Sequence, residues 1–328
     1  MQYRKLGKTN MNVSAISLGT WQVGGRWGDD FNNANADSIL NKAVDDGINF
    51  IDTADVYSNG DSEKAVGRLV RSRKEKIYVA TKCGRQLNPH VSEAYQPALL
   101  RKFVEASLTN MGLETIDLIQ LHCPPTAVYY RPEIFELFDQ LKQEGKIQHL
   151  GVSVEKVEEA LKAIGYDNVA TVQIIFNMFR QRPAELFFSE AKKKNIGIIV
   201  RVPLASGLLT GKFSSATQFT AGDHRTFNRA GEAFDKGETF SGIDYETGLT
   251  AVEELKKVFP GNDNLAAIAL KWILQFDAVS CIIPGASNPQ QVDSNISALD
   301  TADLSAAQLK AVQDIYEKYI KKSVHQLW

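Results

Sequence analysis

Eight short apolar runs, most of them followed by a stretch with helical spacing, constrain the fold of this chain more than any other feature. The runs are typical of buried strands and begin near Ile16, Asn49, Ile77, Ile116, Ile147, Ala170, Ile196 and Val279. All but one of the gaps between these starts measure 23 to 39 residues, as expected for strand–helix units. The alternation predicts an α/β fold built as a (β/α)8 TIM barrel, with a doubly wound open sheet as the alternative.

Two places interrupt the regular alternation. Gly7-Lys8-Thr9-Asn10, between short mixed runs, predicts an N-terminal β-hairpin ahead of the barrel. The gap between strands 7 and 8 contains a polar stretch from Phe213 to Gly248, which predicts a long loop after strand 7, and then helices over about Glu246–Val258 and Asn264–Gln275. Long loops are usually functional or mobile, so we interpret this one as a lid over a ligand, with a plain surface excursion as the alternative. No repeat or linker divides the chain, and we expect residues 1–328 to form one domain.

Four polar side chains fall at or just beyond predicted strand ends. Asp52, Lys82 and His122 stand at the C-terminal ends of three successive strands, and Tyr57 follows five residues after Asp52. Barrel enzymes carry their chemistry on this rim, so a carboxylate, a phenol, an ammonium and an imidazole are expected to converge there. Taken singly, each has a simpler interpretation: a strand-end cap, a loop aromatic, a solvated charge and a core histidine.

The chemistry of these four groups points to proton donation. A phenol has a pKa near 10, and an adjacent ammonium such as Lys82 is expected to lower that value by roughly one to three units. Asp52 would keep the buried Lys82 charged, and His122 would orient a substrate oxygen. Tyr57 would then act as a general acid toward a developing alkoxide, which suits carbonyl reduction with hydride from a cofactor.

Composition excludes several other classes of function. The chain has 37 basic and 39 acidic residues with a formal charge of −2, so no basic surface for nucleic acid is indicated. Its three cysteines lack metal-site spacing, and its five histidines never pair as HxH, which disfavours a metal-dependent barrel hydrolase. No apolar run is long enough for a membrane span, and we expect a cytoplasmic protein that is a monomer or weak oligomer.

The motifs around these residues resemble the aldo-keto reductase family over nearly the whole chain. They are Leu18-Gly19-Thr20-Trp21, Phe50-Ile51-Asp52-Thr53-Ala54 with Tyr57 and Gly60, Thr81-Lys82, Asp117-Leu118 with His122, Lys146 with Gly151-Val152-Ser153, Gln173 with Asn177, Pro203-Leu204 with Gly207-Leu208-Leu209-Thr210-Gly211-Lys212, and Ile283-Pro284-Gly285 with Asn295. The resemblance implies a (β/α)8 barrel that binds NADP(H) without a glycine-rich dinucleotide fingerprint. It also implies that Tyr57 is the general acid for a small-molecule carbonyl substrate.

The resemblance also implies where the cofactor binds. Gly19, Thr20, Trp21 and Asp52 would lie near the nicotinamide, and Ser153 and Gln173 would hold its carboxamide, although Val154 stands where the family usually has asparagine. The expected contacts along the pyrophosphate are Pro203, Leu204, Ser206, Gly207, Leu208 and Lys212.

Two positions depart from the family pattern. Arg201 stands where an aromatic ring usually stacks under the nicotinamide, and we hypothesise that its charge disfavours the oxidised cofactor; the alternative is an arginine turned toward the pyrophosphate or a surface partner. At the adenosine end the expected contacts are Gly285, Ser287, Gln291 and Asn295, ahead of and within a helix that opens at Pro289. Gly285 and Gln291 replace the cations that grip a 2′-phosphate, so NADP(H) is the preferred cofactor and NAD(H) the alternative.

The substrate side is the least defined. Aromatic and tail residues are candidates for its wall: Trp21, Trp27, Tyr57, Pro124, Tyr129 or Tyr130, and residues near Trp328. The alternative to an enzyme is a regulatory protein of the same fold that binds the cofactor with little turnover, as potassium-channel β subunits resembling this family do.

Overall fold

A computed structural model describes residues 1–25, 30–261 and 264–328, and its centre is an eight-stranded parallel sheet. The strands are β3 (Leu18–Gly19), β4 (Phe50–Asp52), β5 (Tyr78–Cys83), β6 (Ile116–His122), β7 (Ile147–Ser153), β8 (Val169–Ile175), β9 (Gly197–Arg201) and β10 (Val279–Ile282). They follow one another in chain order around the sheet. Parallel bridges from Ile16 to Ile282 and from Gly19 to Gly285 bring the last strand beside the first, so the predicted barrel is confirmed and the open sheet is excluded.

The strands are apolar because both of their faces are covered. All seven residues of β8 are buried, and their sequence VATVQII is rich in β-branched side chains. Side chains pointing into the barrel include Phe50, Leu118 and Ile199, which form a core separate from the larger one between strands and helices. The barrel interior is therefore packed, and a site has room only at its rim.

Helices alternate with the strands and cover the barrel. They are α1 (Asn33–Asp45), α2 (Asp61–Ser72), α3 (Pro97–Met111), α4 (Pro132–Gln143), α5 (Val157–Ala163), α6 (Phe187–Lys193), α7 (His224–Phe227), α8 (Tyr245–Val258), α9 (Leu265–Leu274), α10 (Pro289–Ile296), α11 (Ala306–Ile315) and α12 (Lys321–Val324). Local signals set several ends: α3 begins at Pro97 and stops at Gly112, whose φ of 60° lies in the left-handed region. Within residues 1–25, 30–261 and 264–328, no helix is long and apolar enough to cross a membrane.

The predicted hairpin closes the amino-terminal end of the barrel. It consists of β1 (Tyr3–Lys5) and β2 (Asn12–Ser14), paired antiparallel. Leu6 and Val13 are fully buried against the side chains that fill the barrel interior. Because this end is sealed, the opposite, carboxyl-terminal end is the one open to ligands.

The long segment after β9 is present as predicted. Between Phe213 and Gly248 it contains α7 and two short 3-10 turns, and α8 and α9 follow within one residue of their predicted bounds. Its turn Lys236–Glu238 contacts residues at the carboxyl-terminal rim, because Glu238 forms an ion pair with Arg85 at 3.0 Å. The segment therefore lies over the mouth of the barrel.

Candidate active site

Three of the four predicted catalytic residues stand on adjacent strands at the open rim. Asp52 ends β4, Lys82 is the penultimate residue of β5, and His122 ends β6. Parallel pairing of these strands places Asp52 opposite Ala80, and Lys82 opposite Gln120. The sheet therefore fixes their spacing before any side chain is considered.

Asp52 and Lys82 form a buried ion pair whose members are saturated with hydrogen bonds. The Lys82 ammonium donates to Asp52 Oδ1 at 2.5 Å, to the Thr53 carbonyl at 2.8 Å and to the Tyr57 hydroxyl at 3.4 Å. The other oxygen, Asp52 Oδ2, accepts from Gln120 and Gln173 at 2.9 and 2.8 Å. Burial acts to lower the pKa of Lys82, but Asp52 and Tyr57 more than offset it, so that pKa is raised and the lysine stays charged.

Tyr57 reaches the pair through a tight turn rather than from a strand. Ser58 and Asn59 have φ of 48° and 52°, and Gly60 follows with φ of 86°, a combination that reverses the chain directly after the tyrosine. The phenol is half-buried next to Lys82, and its ring meets the His122 ring edge-on at 6.1 Å between centroids.

The predicted lowering of the Tyr57 pKa is wrong. Burial raises the pKa of this phenol above its ordinary value and outweighs the opposing effect of Lys82, while Asp52 adds to the rise. Both the loss of water on burial and the negative charge of Asp52 favour the neutral phenol, and neither is visible in the local sequence. Tyr57 is therefore a neutral phenol that retains its proton, as a proton donor must.

His122 is a buried neutral imidazole. Burial lowers its pKa well below the ordinary value, and the cations Arg85, Lys82 and Arg201 act in the same direction. Its Nδ1 has no hydrogen-bond partner among the residues that the structure describes. The imidazole beside the tyrosine is therefore uncharged at neutral pH.

A cavity of about 420 Å³ opens beside these residues. It is lined by most of the predicted site residues: Gly19, Thr20, Trp21, Asp52, Tyr57, Gln173, Arg201, Pro203, Leu204, Ser206, Gly207, Lys212, Gly285, Gln291 and Asn295. Five others stand back from its wall: Lys82, His122, Ser153, Leu208 and Ser287. The structure therefore gathers two of the four predicted catalytic residues and most of the predicted cofactor positions along one continuous cavity.

The two side chains expected to hold the nicotinamide carboxamide, Gln173 and Ser153, differ in their position relative to the cavity. Gln173 lines the cavity, but its side-chain amide already donates to Asp52 and to Gln120. Ser153 is buried, with its hydroxyl 3.4 Å from the sulfur of Cys123. Only Gln173 faces the cavity directly.

The predicted pyrophosphate segment forms a tight turn after β9. Ala205, Ser206 and Gly207 have φ of 47°, 55° and 97°, and the Ser206 hydroxyl donates to the Glu238 carbonyl at 3.1 Å. Lys212 lines the same part of the cavity, as does Arg225, which the sequence did not single out. A tight turn with two cations nearby suits a pyrophosphate.

The far end of the cavity lies at the amino terminus of α10. The Asn288 side chain caps this helix by accepting from the Gln291 N–H at 3.0 Å, as its sequence predicted. Gln291 in turn accepts from the N–H and hydroxyl of Ser287, and Asn295 donates to the Gly285 carbonyl at 3.2 Å. Lys212 and Arg225, the latter paired with Asp223 at 2.6 Å, and a helix amino terminus at the end are a donor set that fits a nicotinamide dinucleotide.

Arg201 belongs to a partly buried charge cluster that sequence reasoning missed. We define this cluster as Arg85, Glu155, Arg201 and Glu238. Arg201 pairs with Glu155 at 2.8 Å and approaches Glu238 at 3.6 Å, and Arg85 pairs with Glu238 at 3.0 Å. Cys123 Sγ and the two carboxylates lie within 4.8 Å of one another, but the guanidinium of Arg201 already contacts all three, which disfavours a metal ion there. The charge of Arg201 is thus balanced by neighbouring carboxylates.

The aromatic residues considered for the substrate wall separate into two groups. Trp21 lines the cavity and packs against His224, with ring centroids 4.8 Å apart. Tyr129 is buried and Tyr130 is 65% exposed, so neither ring is part of the cavity wall. Trp27 lies outside the described residues.

Comparisons with known proteins agree with this architecture. A sequence model described as the Aldo/keto reductase family matches residues 15–317. The chain is 30% identical to the uncharacterized oxidoreductase YqkF of Bacillus subtilis, over 97% of this chain and 99% of that protein. It is 26% identical to the NADH-specific methylglyoxal reductase of Escherichia coli, over 95% of this chain and 98% of that protein.

A solved structure gives the same result for the fold. The glycerol dehydrogenase AKR11B4 from Gluconobacter oxydans superimposes with a TM-score of 0.79 at 30% identity, covering 97% of this chain and 96% of that one. The similarity extends over both the barrel and the elements at its rim.

Proposed function

Because this chain belongs to the aldo/keto reductase family, we propose that it reduces aldehydes or ketones to alcohols with NADP(H), and that Tyr57 is the general acid. Members of this family are generally NAD(P)H-dependent carbonyl reductases that act on small molecules. The observation that carries the proposal is the Tyr57 hydroxyl, which lies on the cavity wall 3.4 Å from the buried Lys82 ammonium.

The residues along the cavity supply the contacts that a dinucleotide needs. Trp21 and Gln173 would contact the nicotinamide end, Lys212 and Arg225 the phosphates, and Gln291 the adenosine end. When bound, the cofactor supplies the hydride. Asp52 and Tyr57 line the cavity together, so a nicotinamide held there would share the rim with the proton donor.

Tyr57 delivers the proton, and its neighbours make that transfer favourable. As the hydroxyl gives up its proton, the phenolate that remains is stabilised by the adjacent Lys82 ammonium, and Asp52 keeps that ammonium charged. The neutral His122 donates a ring N–H to the carbonyl oxygen and so aligns it with the phenol. The neutral phenol holds its proton until a more basic alkoxide forms next to it.

We propose small, polar carbonyl compounds as the substrate class. Arg201 and Glu238 line the cavity and offer hydrogen bonds to hydroxyl or second carbonyl groups. The names of two similar proteins, a methylglyoxal reductase and a glycerol dehydrogenase, point to three-carbon compounds of this kind. A panel that compares methylglyoxal and glyceraldehyde with large apolar aldehydes, followed by loss of NADPH absorbance, tests the class. Preference for the apolar aldehydes would contradict it.

For the cofactor, we propose that NADP(H) is preferred by a modest factor. Gly285 and Gln291 are neutral where a 2′-phosphate would bind, so no ion pair would form there and a hydrogen bond to the phosphate would add only about 1.5 kcal/mol. The ratio of kcat/KM for NADPH over NADH is therefore expected to be about tenfold. The E. coli relative is named NADH-specific, so a ratio below one would overturn this part of the proposal.

Replacing the proton donor tests the proposed chemistry. Tyr57→Phe is expected to lower kcat for carbonyl reduction by about a thousandfold, the typical contribution of a general acid, while NADPH still binds. Turnover is followed by NADPH absorbance and binding by fluorescence titration. Tyr130→Phe, at an exposed position, is the matched control and should behave as wild type.

Near-wild-type turnover in Tyr57→Phe would remove this residue from its proposed role. Wild-type protein that binds NADPH but reduces no aldehyde in the panel would instead favour the regulatory alternative.

A further inference from the structure

The long segment over the barrel mouth is fastened by Trp328. The Trp328 indole N–H donates to Asp235 Oδ1 at 2.7 Å, and its ring lies 4.0 Å from the guanidinium carbon of Arg180. The Trp328 main-chain oxygen accepts from Arg182 at 2.9 Å. The side chain is only 6% exposed, so the indole is an integral part of the packing around the segment.

Arg180 completes this contact from the barrel side. It is 2% exposed, and its Nη2 donates to the Gly237 carbonyl at 3.2 Å. Its Nε and Nη1 have no hydrogen-bond partner among the described residues, so the face of the indole is a principal contact of the buried charge. We call Arg180, Asp235 and Trp328 the clamp.

The packing around the indole leaves little freedom. A Cβ built on Gly242 would lie 2.4 Å from the Trp328 ring, and one built on Gly237 would lie 2.8 Å from it. Gly242 also has φ of 83°, a conformation that other residues rarely adopt. The segment can approach Trp328 this closely only because both positions are glycine.

The clamp is connected to the candidate active site through one short turn. Asp235 Oδ1 also accepts from the Gly237 N–H at 2.7 Å and so caps the turn Lys236–Glu238. The Glu238 side chain pairs with Arg85 and approaches Arg201, while its carbonyl accepts from Ser206. Fixing Asp235 therefore fixes a carboxylate on the cavity wall and a contact to the predicted pyrophosphate turn.

We propose that Trp328 is a positioning residue for the active site: through Asp235 and Arg180 it holds the turn Lys236–Glu238 so that Glu238 closes the cavity wall against Arg85 and Arg201. The expected changes in KM and kcat rest on the proposed function. The position of the turn Lys236–Glu238 can be tested without any enzymatic activity. Trp328 contacts neither Tyr57 nor Lys82, so its loss should act on binding more than on the chemical step.

Limited proteolysis of the protein without added cofactor tests the placement directly. Lys236 and Arg229 are exposed and offer trypsin two sites within the segment. Trp328→Ala is expected to be cleaved there about tenfold faster than wild type, because opening of the segment no longer breaks the clamp. Leu327→Ala, which removes the exposed neighbouring side chain, is the matched control and should be cleaved at the wild-type rate.

Steady-state kinetics test the consequence for the site. Trp328→Ala is expected to raise KM for NADPH and for the carbonyl substrate by about tenfold and to change kcat by less than about threefold, the size seen when coupling between distant sites is altered. Trp328→Phe keeps the ring but loses the N–H to Asp235, so its KM should rise by only about threefold and thereby show partial rescue. If Trp328 had only a structural role, its replacement would lower the amount of active protein but would not raise KM while leaving kcat nearly unchanged.

A double-mutant cycle asks whether the clamp acts through Glu238. In the Glu238→Gln background, Trp328→Ala should raise KM by less than about threefold, since the carboxylate that it positions is already gone. Additive effects of the two substitutions on KM would overturn the proposal. So would a proteolysis rate and a KM equal to those of wild type in both Trp328→Phe and Trp328→Ala.

If Trp328→Ala does not fold, Trp328→Phe alone tests the proposal, and a proteolysis rate and KM equal to those of wild type in this variant would overturn it. If no carbonyl compound is reduced by wild type, the proposed function fails while proteolysis and NADPH titration still judge the clamp.

Discussion

Two groups of charged side chains stand at the same rim of the barrel, one fully and one partly buried, and they are built differently. In the Asp52–Lys82 pair both carboxylate oxygens are bonded, and the ammonium has three acceptors. In the charge cluster of Arg85, Glu155, Arg201 and Glu238, by contrast, Arg201 Nε and one Glu155 oxygen have no hydrogen-bond partner among the described residues. The Asp52–Lys82 pair is therefore saturated with hydrogen bonds, whereas the charge cluster is not.

The difference follows from where the side chains come from. Asp52 and Lys82 belong to adjacent parallel strands, whose register fixes their separation. Glu238 comes from the long segment after β9, which the clamp holds in place. We infer that the pair, which the sheet alone positions, serves chemistry that tolerates little displacement, while the geometry of the cluster depends on the clamp. Three predictions test this contrast.

The largest effect is expected at the saturated pair. Lys82→Met leaves Asp52 as a buried carboxylate without its cation, which typically costs about 3 kcal/mol of unfolding free energy. It also removes the charge that stabilises the Tyr57 phenolate, and kcat should fall by about a thousandfold. Urea unfolding and NADPH-linked turnover measure the two losses, with the exposed Lys74→Met as control. Wild-type stability in Lys82→Met would show that the pair contributes little.

A second prediction concerns the folding stability that is lost when a buried carboxylate has no hydrogen-bond partner. Asp55 lies three residues after Asp52, is 4% exposed, and has no hydrogen-bond partner for either oxygen within the described residues. Burial, with the neighbouring Glu63, raises its pKa from 3.8 to about 8. The folded state therefore binds this proton more tightly than the unfolded state, and stability should fall as pH rises from about 4 to 8.

Asp55→Asn removes this dependence. Its stability relative to wild type should improve by on the order of 3 kcal/mol between pH 5 and pH 7, because each pH unit in this window corresponds to about 1.4 kcal/mol. Urea unfolding at several pH values, with the exposed Asp300→Asn as control, provides the measurement. A difference between variant and wild type that does not change with pH would mean that Asp55 is ionised throughout.

The smallest effect is expected at Arg201. The sequence suggested that its charge disfavours the oxidised cofactor, but Glu155 and Glu238 now balance that charge. Burial also raises the pKa of Glu238, so this carboxyl can take up a proton when the arginine is lost. The ratio of dissociation constants for NADP+ and NADPH should therefore change by less than about threefold in Arg201→Tyr. A change of tenfold or more would show that the guanidinium acts on the nicotinamide directly.

Sequence reasoning succeeded wherever a local pattern implied the geometry. Asp52, Lys82 and His122 were predicted together because each ends an apolar run, and parallel strands bring such ends to one rim. The same rule applied two residues further on would have found Arg85 and Glu155, which follow β5 and β7. Glu238 had no such signal, since it lies in a polar segment without periodicity.

The sequence by itself determined the barrel, the hairpin that seals one end and the rim where four reactive side chains meet, because hydrophobic periodicity and strand ends are local properties of the chain. Only the tertiary structure decided the sign of the Tyr57 pKa shift, the balance of charge around Arg201 and the contact between Trp328 and Asp235. Each of these depends on burial or on residues far apart in the chain, and neither desolvation nor long-range pairing is encoded in a short stretch of sequence.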